Sequence, residues 1–280
     1  MTMKASDILH LTGLTAKSMV KIIMQSRHCH IERQRHADAL VILANGPSLR
    51  TTIDTRIDTL RKHTTLAVNF AANATEFRLL KPDYYVLADP HFFVHTEQDN
   101  VQRLWSNIAA AQWGITLFVP SRFRTAARRL AGEGVKVCTF NAVGIEGFRC
   151  FERMAFKHNW GMPRPRNVLI PSIMIALAMG YREVYLAGAD HSWLKTISVN
   201  DSNEVVSIQP HFYKEESKEQ ARVISEYKGY HLHDILDSFR IAFSSYHSIR
   251  AYADAIGAAI YNATEGSFID AFERKTFPDK

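Results

Sequence analysis

The stretch ALVILANGPSLR, residues 39–50, decides the fold. Its first five residues are an unbroken apolar run, as expected of a strand buried on both faces, and Asn45-Gly46-Pro47-Ser48 is a turn that ends it. Ser48 is placed to cap a helix running to about residue 62. A buried strand that feeds a helix through a tight polar turn is half of a strand-helix-strand unit, whose strands lie parallel.

The same alternation continues outward. Strands are expected over 66–70, 84–88, 115–119, 135–140, 183–187 and 259–261, with helices over 72–80, 101–113, 122–131, 166–179 and 239–256. The fold class is therefore α/β and Rossmann-like, a mostly parallel sheet flanked by helices. The strand over 183–187 runs into Gly188-Ala189-Asp190-His191-Ser192-Trp193, after which residues 194–230 lose apolar regularity and hold the turn signal Asn200-Asp201-Ser202-Asn203. This reads as a lid insertion after the Gly188–Asp190 strand end. A third polar loop, residues 262–267, follows the last expected strand.

At 280 residues with 46% hydrophobic content, the chain can bury one sizeable core, so residues 37–280 read as a single domain. Residues 1–36 read as a basic amphipathic helical extension, with Ile8, Leu9, Leu11, Leu14, Met19, Val20, Ile22 and Ile23 set among Lys17, Lys21, Arg27, Arg33 and Arg35. Two readings stand for it. It lies on an anionic membrane surface, or it packs on the domain and shows its charges to water.

The net charge of +6 suits an anionic partner without choosing one. Lys and Arg are spread along the chain and not interleaved with aromatics, which disfavours nucleic acid. Three cysteines without a CxxC pair, and no signal-peptide pattern near residue 1, give a reducing, cytoplasmic setting. The longest apolar run, 168–179, is broken by Pro171 and Ser172 and falls short of the ~20 residues a spanning helix needs. The expected location is cytoplasmic, with the inner face of the cytoplasmic membrane as the place the extension would reach.

In an open α/β sheet, ligands bind beyond the carboxyl ends of the strands. The polar residues there are Asn45, Gly46, Ser48, Asn69, Asp89, Gly188, Asp190, His191, Asn262 and Thr264. Gly46 permits close backbone approach to a phosphate or ribose. No Gly-Lys-Ser/Thr follows, and no GxGxxG is present, so neither common phosphate-loop motif explains the turn. Asp89 fits a ribose contact or a turn cap equally well. Trp193 either stacks on a ligand or closes the pocket, and the basic cluster Arg122, Arg124, Arg128 and Arg129 could meet phosphate, although its helical spacing favours a solvated face. Cys138 and Cys150 are expected to be buried and inert.

Four segments, LVILANGPSL, AVNF, PSIMIALAMGYREVYLAGAD and NATEGSFIDAF, together resemble the bacterial sialyltransferases of glycosyltransferase family 42. They also resemble the related MptE-like superfamily, which includes 6-hydroxymethylpterin pyrophosphokinases and proteins found with surface-polysaccharide genes. The similarity covers about residues 39–272 in scattered blocks.

The first resemblance implies a metal-independent transferase. It would move a sialic-acid-like sugar from a CMP-activated donor to a cell-surface glycan acceptor, in polysaccharide or lipopolysaccharide biosynthesis. By position it implies that Asn45, Asn69 and Ser172 hold the donor, with Gly188 and Asp190 at the later strand end. A lid histidine would take the acceptor proton and a lid tyrosine would bind the leaving phosphate. His211 and Tyr213 are nominated for these roles, with His191 as the chief competitor for the base; among 13 histidines, any one is ordinarily a solvated or packing residue. No cofactor is implied beyond the nucleotide-sugar donor. The second resemblance implies diphosphate transfer from ATP with Mg²⁺ on Asp89 and Asp190. A non-catalytic nucleotide-binding module is the third reading. A homo-oligomer is compatible with each.

Overall fold

The structure is a computed structural model, and it describes residues 4–34, 39–206 and 229–279. The chain runs α1 (Ala5–Gln25), β1 (Ala39–Leu43), α2 (Ser48–Leu60), β2 (Thr64–Val68), α3 (Phe77–Leu80), β3 (Tyr84–Val86), α4 (His91–Val94), α5 (Asp99–Ala109), β4 (Thr116–Pro120) and α6 (Arg124–Ala131). It continues with β5 (Lys136–Phe140), α7 (Arg149–Lys157), α8 (Leu169–Met179), β6 (Glu183–Ala187), the hairpin strands β7 (Ser198–Val199) and β8 (Val205–Val206), α9 (Leu232–Ile256), β9 (Ala259–Asn262) and β10 (Glu273–Arg274).

Eight strands form one parallel sheet in the order β10-β9-β6-β1-β2-β3-β4-β5. The expected Rossmann-like α/β architecture is what the chain adopts. β1 lies at the centre, and its apolar run is continuous because both faces are covered. Leu40 and Ile42 join one core, with α8, while Val41 and Leu43 join the other, with α2, α5 and α6. Helix α8 is buried along almost its whole length, including Ile170, Ile173, Ile175 and Leu177. Each such side chain contributes about 1.5–3 kcal/mol by leaving water, which explains why this helix shows no polar stripe.

The sheet order also fixes where a ligand can bind. From β1 the chain proceeds outward to β2, β3, β4 and β5, then returns to place β6 on the opposite side of β1. Beyond β1 and β6 the chain leads away in opposite directions, which is where an open α/β sheet receives its ligand in a crevice.

Several local expectations shift. The second strand ends at Val68 because Asn69 takes a left-handed backbone (φ 51°), a conformation asparagine tolerates, and starts a short 3-10 turn over Asn69–Asn73. Tyr85 on β3 braces that turn, donating its hydroxyl to the Asn69 carbonyl (2.6 Å) and accepting the Ala72 amide (2.8 Å). Ser48 is the first residue of α2 and not its cap; Pro47 precedes it. Cys150, expected to be buried, is exposed on α7, whereas Cys29 is buried and Cys138 half-buried. Of the expected lid, only 194–206 and 229–230 fall within the described residues. No helix among the described residues is long and apolar enough to cross a membrane.

Candidate functional site

The turn after β1 and the loop after β6 are stitched together. Gly46 donates its amide to the Gly188 carbonyl (2.8 Å), and Asp190 accepts the Ser48 hydroxyl (2.7 Å) and, on its other oxygen, the Ser48 amide (3.3 Å). The Asp190 carboxylate thus caps α2 from across the crevice, satisfying one of the amides that a helix start leaves open. A side chain at Gly46 has no room. Its Cβ would stand 1.9 Å from Asp190 Oδ2 and 2.5 Å from the Gly188 oxygen. The close approach anticipated from Gly46 is therefore made to the chain's own β6 loop. Gly188 holds φ 73°, a conformation glycine adopts without steric cost.

The C-terminal polar loop secures this junction from behind. Thr264 Oγ1 bonds the Leu186 carbonyl (3.0 Å) and the Ala189 amide (2.9 Å), Ser267 Oγ donates to the Ala189 carbonyl (2.6 Å), and the Asn262 amide holds Ser267 Oγ (2.9 Å). All three side chains are buried. They support the β6 loop and do not line the crevice.

In front of the junction lies a cavity of about 410 Å³, within the range of small-molecule sites. Asn45, Asn69, Asp89 and Asp190, from the ends of β1, β2, β3 and β6, all line it, together with Gly46, Gly188 and His191. Asn69 Oδ1 is buried without a hydrogen-bond partner among the described residues. Asp89 is exposed and uses Oδ1 to accept the His91 amide (2.8 Å), so the turn-cap reading holds for that oxygen. Ser172 does not line the cavity. It sits one turn inside α8, fully buried, with its hydroxyl donated to the Val168 carbonyl (2.7 Å).

Asn167, one turn before Ser172, does line it. Its Oδ1 accepts the Leu169 and Ile170 amides (3.0 and 3.4 Å), capping α8, and also the Tyr246 hydroxyl (3.0 Å). Tyr246 Oη lies 2.6 Å from His191 Nε2. Asn167 Nδ2 lies 3.5 Å from the same ring nitrogen, so Nε2 is engaged within the wall by both neighbours. Burial alone drives the His191 pKa down, to about 3, so the ring is neutral at pH 7. A group that weakly basic is poorly matched to taking a hydroxyl proton near neutrality. His191 also has a left-handed backbone (φ 51°) and stacks against Trp193, 4.2 Å between ring centroids; Trp193 continues onto Phe239 at 5.4 Å. Trp193 therefore closes one wall of the cavity.

Two arginines also line the cavity. Arg122 follows β4 and lies over the Phe123 ring at 4.7 Å, while Arg124, Arg128 and Arg129 stay on the solvated face; Arg166 precedes α8. The signal for Asn167 was available, since an Asn directly ahead of a long apolar helical run is a helix-start signature. Arg122 belongs to the basic cluster that could meet phosphate, whereas nothing local marks Tyr246. His211 and Tyr213 lie outside the described residues. No group of three or more His, Cys, Asp or Glu side chains among the described residues is arranged to hold a metal ion.

The fold and the cavity together define an α/β chain of Rossmann-like architecture with a polar cleft at the point where strand order reverses. A solved structure of the same architecture is the MAf glycosyltransferase from Magnetospirillum magneticum AMB-1, with TM-score 0.51 and 13% sequence identity over 98% of this chain and 39% of that one. The chain thus spans well under half of that protein's length, and at this identity the likeness is one of fold. No family model and no curated protein matches the chain.

Proposed function

We propose that the chain is a glycosyltransferase that moves a sialic-acid-like sugar from a CMP-activated donor to a cell-surface glycan acceptor. One observation carries this reading: Asn45, Asn69, Asp89 and Asp190 converge from four strand ends on one cavity that also holds Arg122 and Arg166. Such a donor is an anion twice over, with a phosphodiester and a sugar carboxylate, and guanidinium groups match both. The asparagine side chains offer the neutral donors and acceptors that a pyrimidine nucleoside needs. That a solved structure of the same fold is a glycosyltransferase supports sugar transfer in general.

In the transfer, the acceptor oxygen bonds to the anomeric carbon as the bond to the phosphate oxygen breaks, and CMP departs with that electron pair. Arg122 and Arg166 offset the charge developing on the phosphate. The acceptor proton passes to a base, for which His211 is nominated, with Tyr213 as phosphate partner. His191, neutral and held by Tyr246, acts as a fixed hydrogen-bonding wall. This scheme uses no metal cofactor.

The pyrophosphokinase reading has less support. It needs carboxylates free to hold Mg²⁺, and both Asp190 oxygens are engaged by Ser48. A thermal-shift comparison of CMP with ATP plus Mg²⁺, followed by an assay of CMP release from CMP-sialic acid, tests the proposal. Stabilisation by CMP and release of CMP are expected. Stabilisation by ATP with Mg²⁺ and none by CMP would overturn it.

A further inference from the structure

Helix α1 rests on the domain through a narrow inward face, where Leu11, Leu14 and Ile22 are half-buried and Ile22 packs against the core, and it leaves six further apolar side chains outside. Its inward face is held by polar contacts: Ser18 Oγ donates to the Glu146 carbonyl (2.8 Å) and accepts the Glu146 amide (2.9 Å), Thr15 Oγ1 accepts the Phe148 amide (3.1 Å), and Lys21 Nζ reaches the Gly144 carbonyl (3.1 Å). Ser18 is the one fully buried residue of the helix. The outward face presents Ile8, Leu9, Met19, Val20, Ile23 and Met24, exposed by 47 to 79%. At 3.6 residues per turn they fall within an arc of roughly 160°, and no charged residue of the helix shares it. Single exposed apolar side chains are ordinary on a monomer, but two groups on one arc, Ile8 with Leu9 and Met19, Val20, Ile23 and Met24, with Thr12, Gly13 and Ala16 between them, mark an interaction surface.

A second feature adjoins the end of this helix. Ser26 donates to the Trp160 carbonyl, and Trp160 is itself 37% exposed. Lys157 and Asn159, just before it, open onto a cavity of about 530 Å³ at the amino-terminal edge of the sheet, the edge away from the crevice. Arg33, Arg153, Lys157 and Arg182 line it, and no carboxylate among the described residues does.

We propose that α1 docks the molecule on an anionic phospholipid bilayer. The α1 stripe enters the acyl boundary, Trp160 lies at the headgroup level, and the basic cavity receives lipid phosphate. Charge decides the occupant. In a two-fold dimer formed through this face, the same patch would meet itself and bring like cations together, whereas an anionic leaflet balances them.

The test is co-sedimentation of the full chain with vesicles of phosphatidylcholine alone or mixed with phosphatidylglycerol, run beside light scattering without lipid. Two double variants, Leu9→Glu with Ile23→Glu and Arg153→Glu with Lys157→Glu, change exposed side chains only, and their melting curves confirm folding. The wild type should bind the anionic vesicles in a salt-sensitive way and leave the neutral ones, with each double variant weakening binding by about tenfold or more. Absence of binding to anionic vesicles, or equal binding by the folded variants, would overturn the proposal. So would a lipid-free dimer that the Leu9/Ile23 variant dissociates, which would make a second copy the occupant.

Discussion

Asp190 and Ser48, 142 residues apart in sequence, share a 2.7 Å hydrogen bond that joins the loop after β6 to the first turn of α2. The two ligand-facing loops are therefore one unit, and substitutions in either are felt in both.

Replacing Asp190 with Ala leaves the Ser48 hydroxyl and a helix-start amide without their acceptor. The expected loss is about 2–3 kcal/mol of stability, read as a fall in melting temperature. Ser48→Ala, which leaves Asp190 its amide contact, should cost about 1 kcal/mol. If the larger loss came from Ser48→Ala, the cap would be assigned to the wrong partner.

Gly46→Ala meets backbone at Gly188 as well as the Asp190 carboxylate. The turn must open to admit a methyl group. A destabilisation of about 3 kcal/mol or more is expected, visible as loss of soluble expression or as a steep drop in the denaturant midpoint. A soluble variant of unchanged midpoint would mean that the turn yields freely.

Asn69→Gly separates binding from backbone strain, because glycine keeps the left-handed conformation that alanine would resist. The variant should melt within about 1 kcal/mol of the wild type and bind CMP about tenfold more weakly, by calorimetry. Arg122→Ala and Arg166→Ala should lower affinity for CMP and flatten its dependence on salt. Wild-type affinity in all three would remove the nucleotide from this cavity.

The buried His191 makes stability depend on pH. Its pKa in the folded state, about 3, lies below the ordinary 6.5, so the folded protein favours the neutral ring. That contribution is complete above pH 6.5 and is lost as pH falls toward 3, with a slope of at most about 1.4 kcal/mol per pH unit. His191→Gln, which keeps a polar atom toward Tyr246, should remove that part of the slope. Parallel melting curves for the two proteins between pH 7 and 4 would show that His191 titrates normally.

Much of this molecule was readable in its sequence, and the exceptions share a cause. The run 39–43 announced a central strand because burial on both faces leaves no polar position, and short apolar runs bounded by turns located β4, β5, β6 and β9 to within a residue or two. Asn45, Asn69 and Asp190 were found by their place after strands, which the topology turns into proximity. Ser172 was carried over by position, but its hydroxyl is spent on the preceding turn, while Asn167 takes the place in the cavity wall. The Asp190 cap on α2, the Tyr246 bond to His191 and the Arg122 side chain in the cavity wall depend on contacts between distant segments. No local pattern of residue types encodes them. The outward apolar stripe of α1 was legible as amphipathicity; which face would turn inward was not, because Ser18 and Thr15 earn their burial only from the loop at residues 146–148.

The stitching of the crevice also dictates an order of assembly. Asn45 and Asn69 leave the ribosome early, yet the wall opposite them is Gly188–Asp190, and that wall is pinned by Thr264 and Ser267 near the far end of the chain. A nascent or truncated polypeptide that stops short of β9 can build the strands β1 to β5 and still possess half a cleft. Completion of the cleft is thereby postponed until synthesis is nearly finished, and a chain ending between residues 193 and 262 would lack those pins while keeping every residue that lines the cavity.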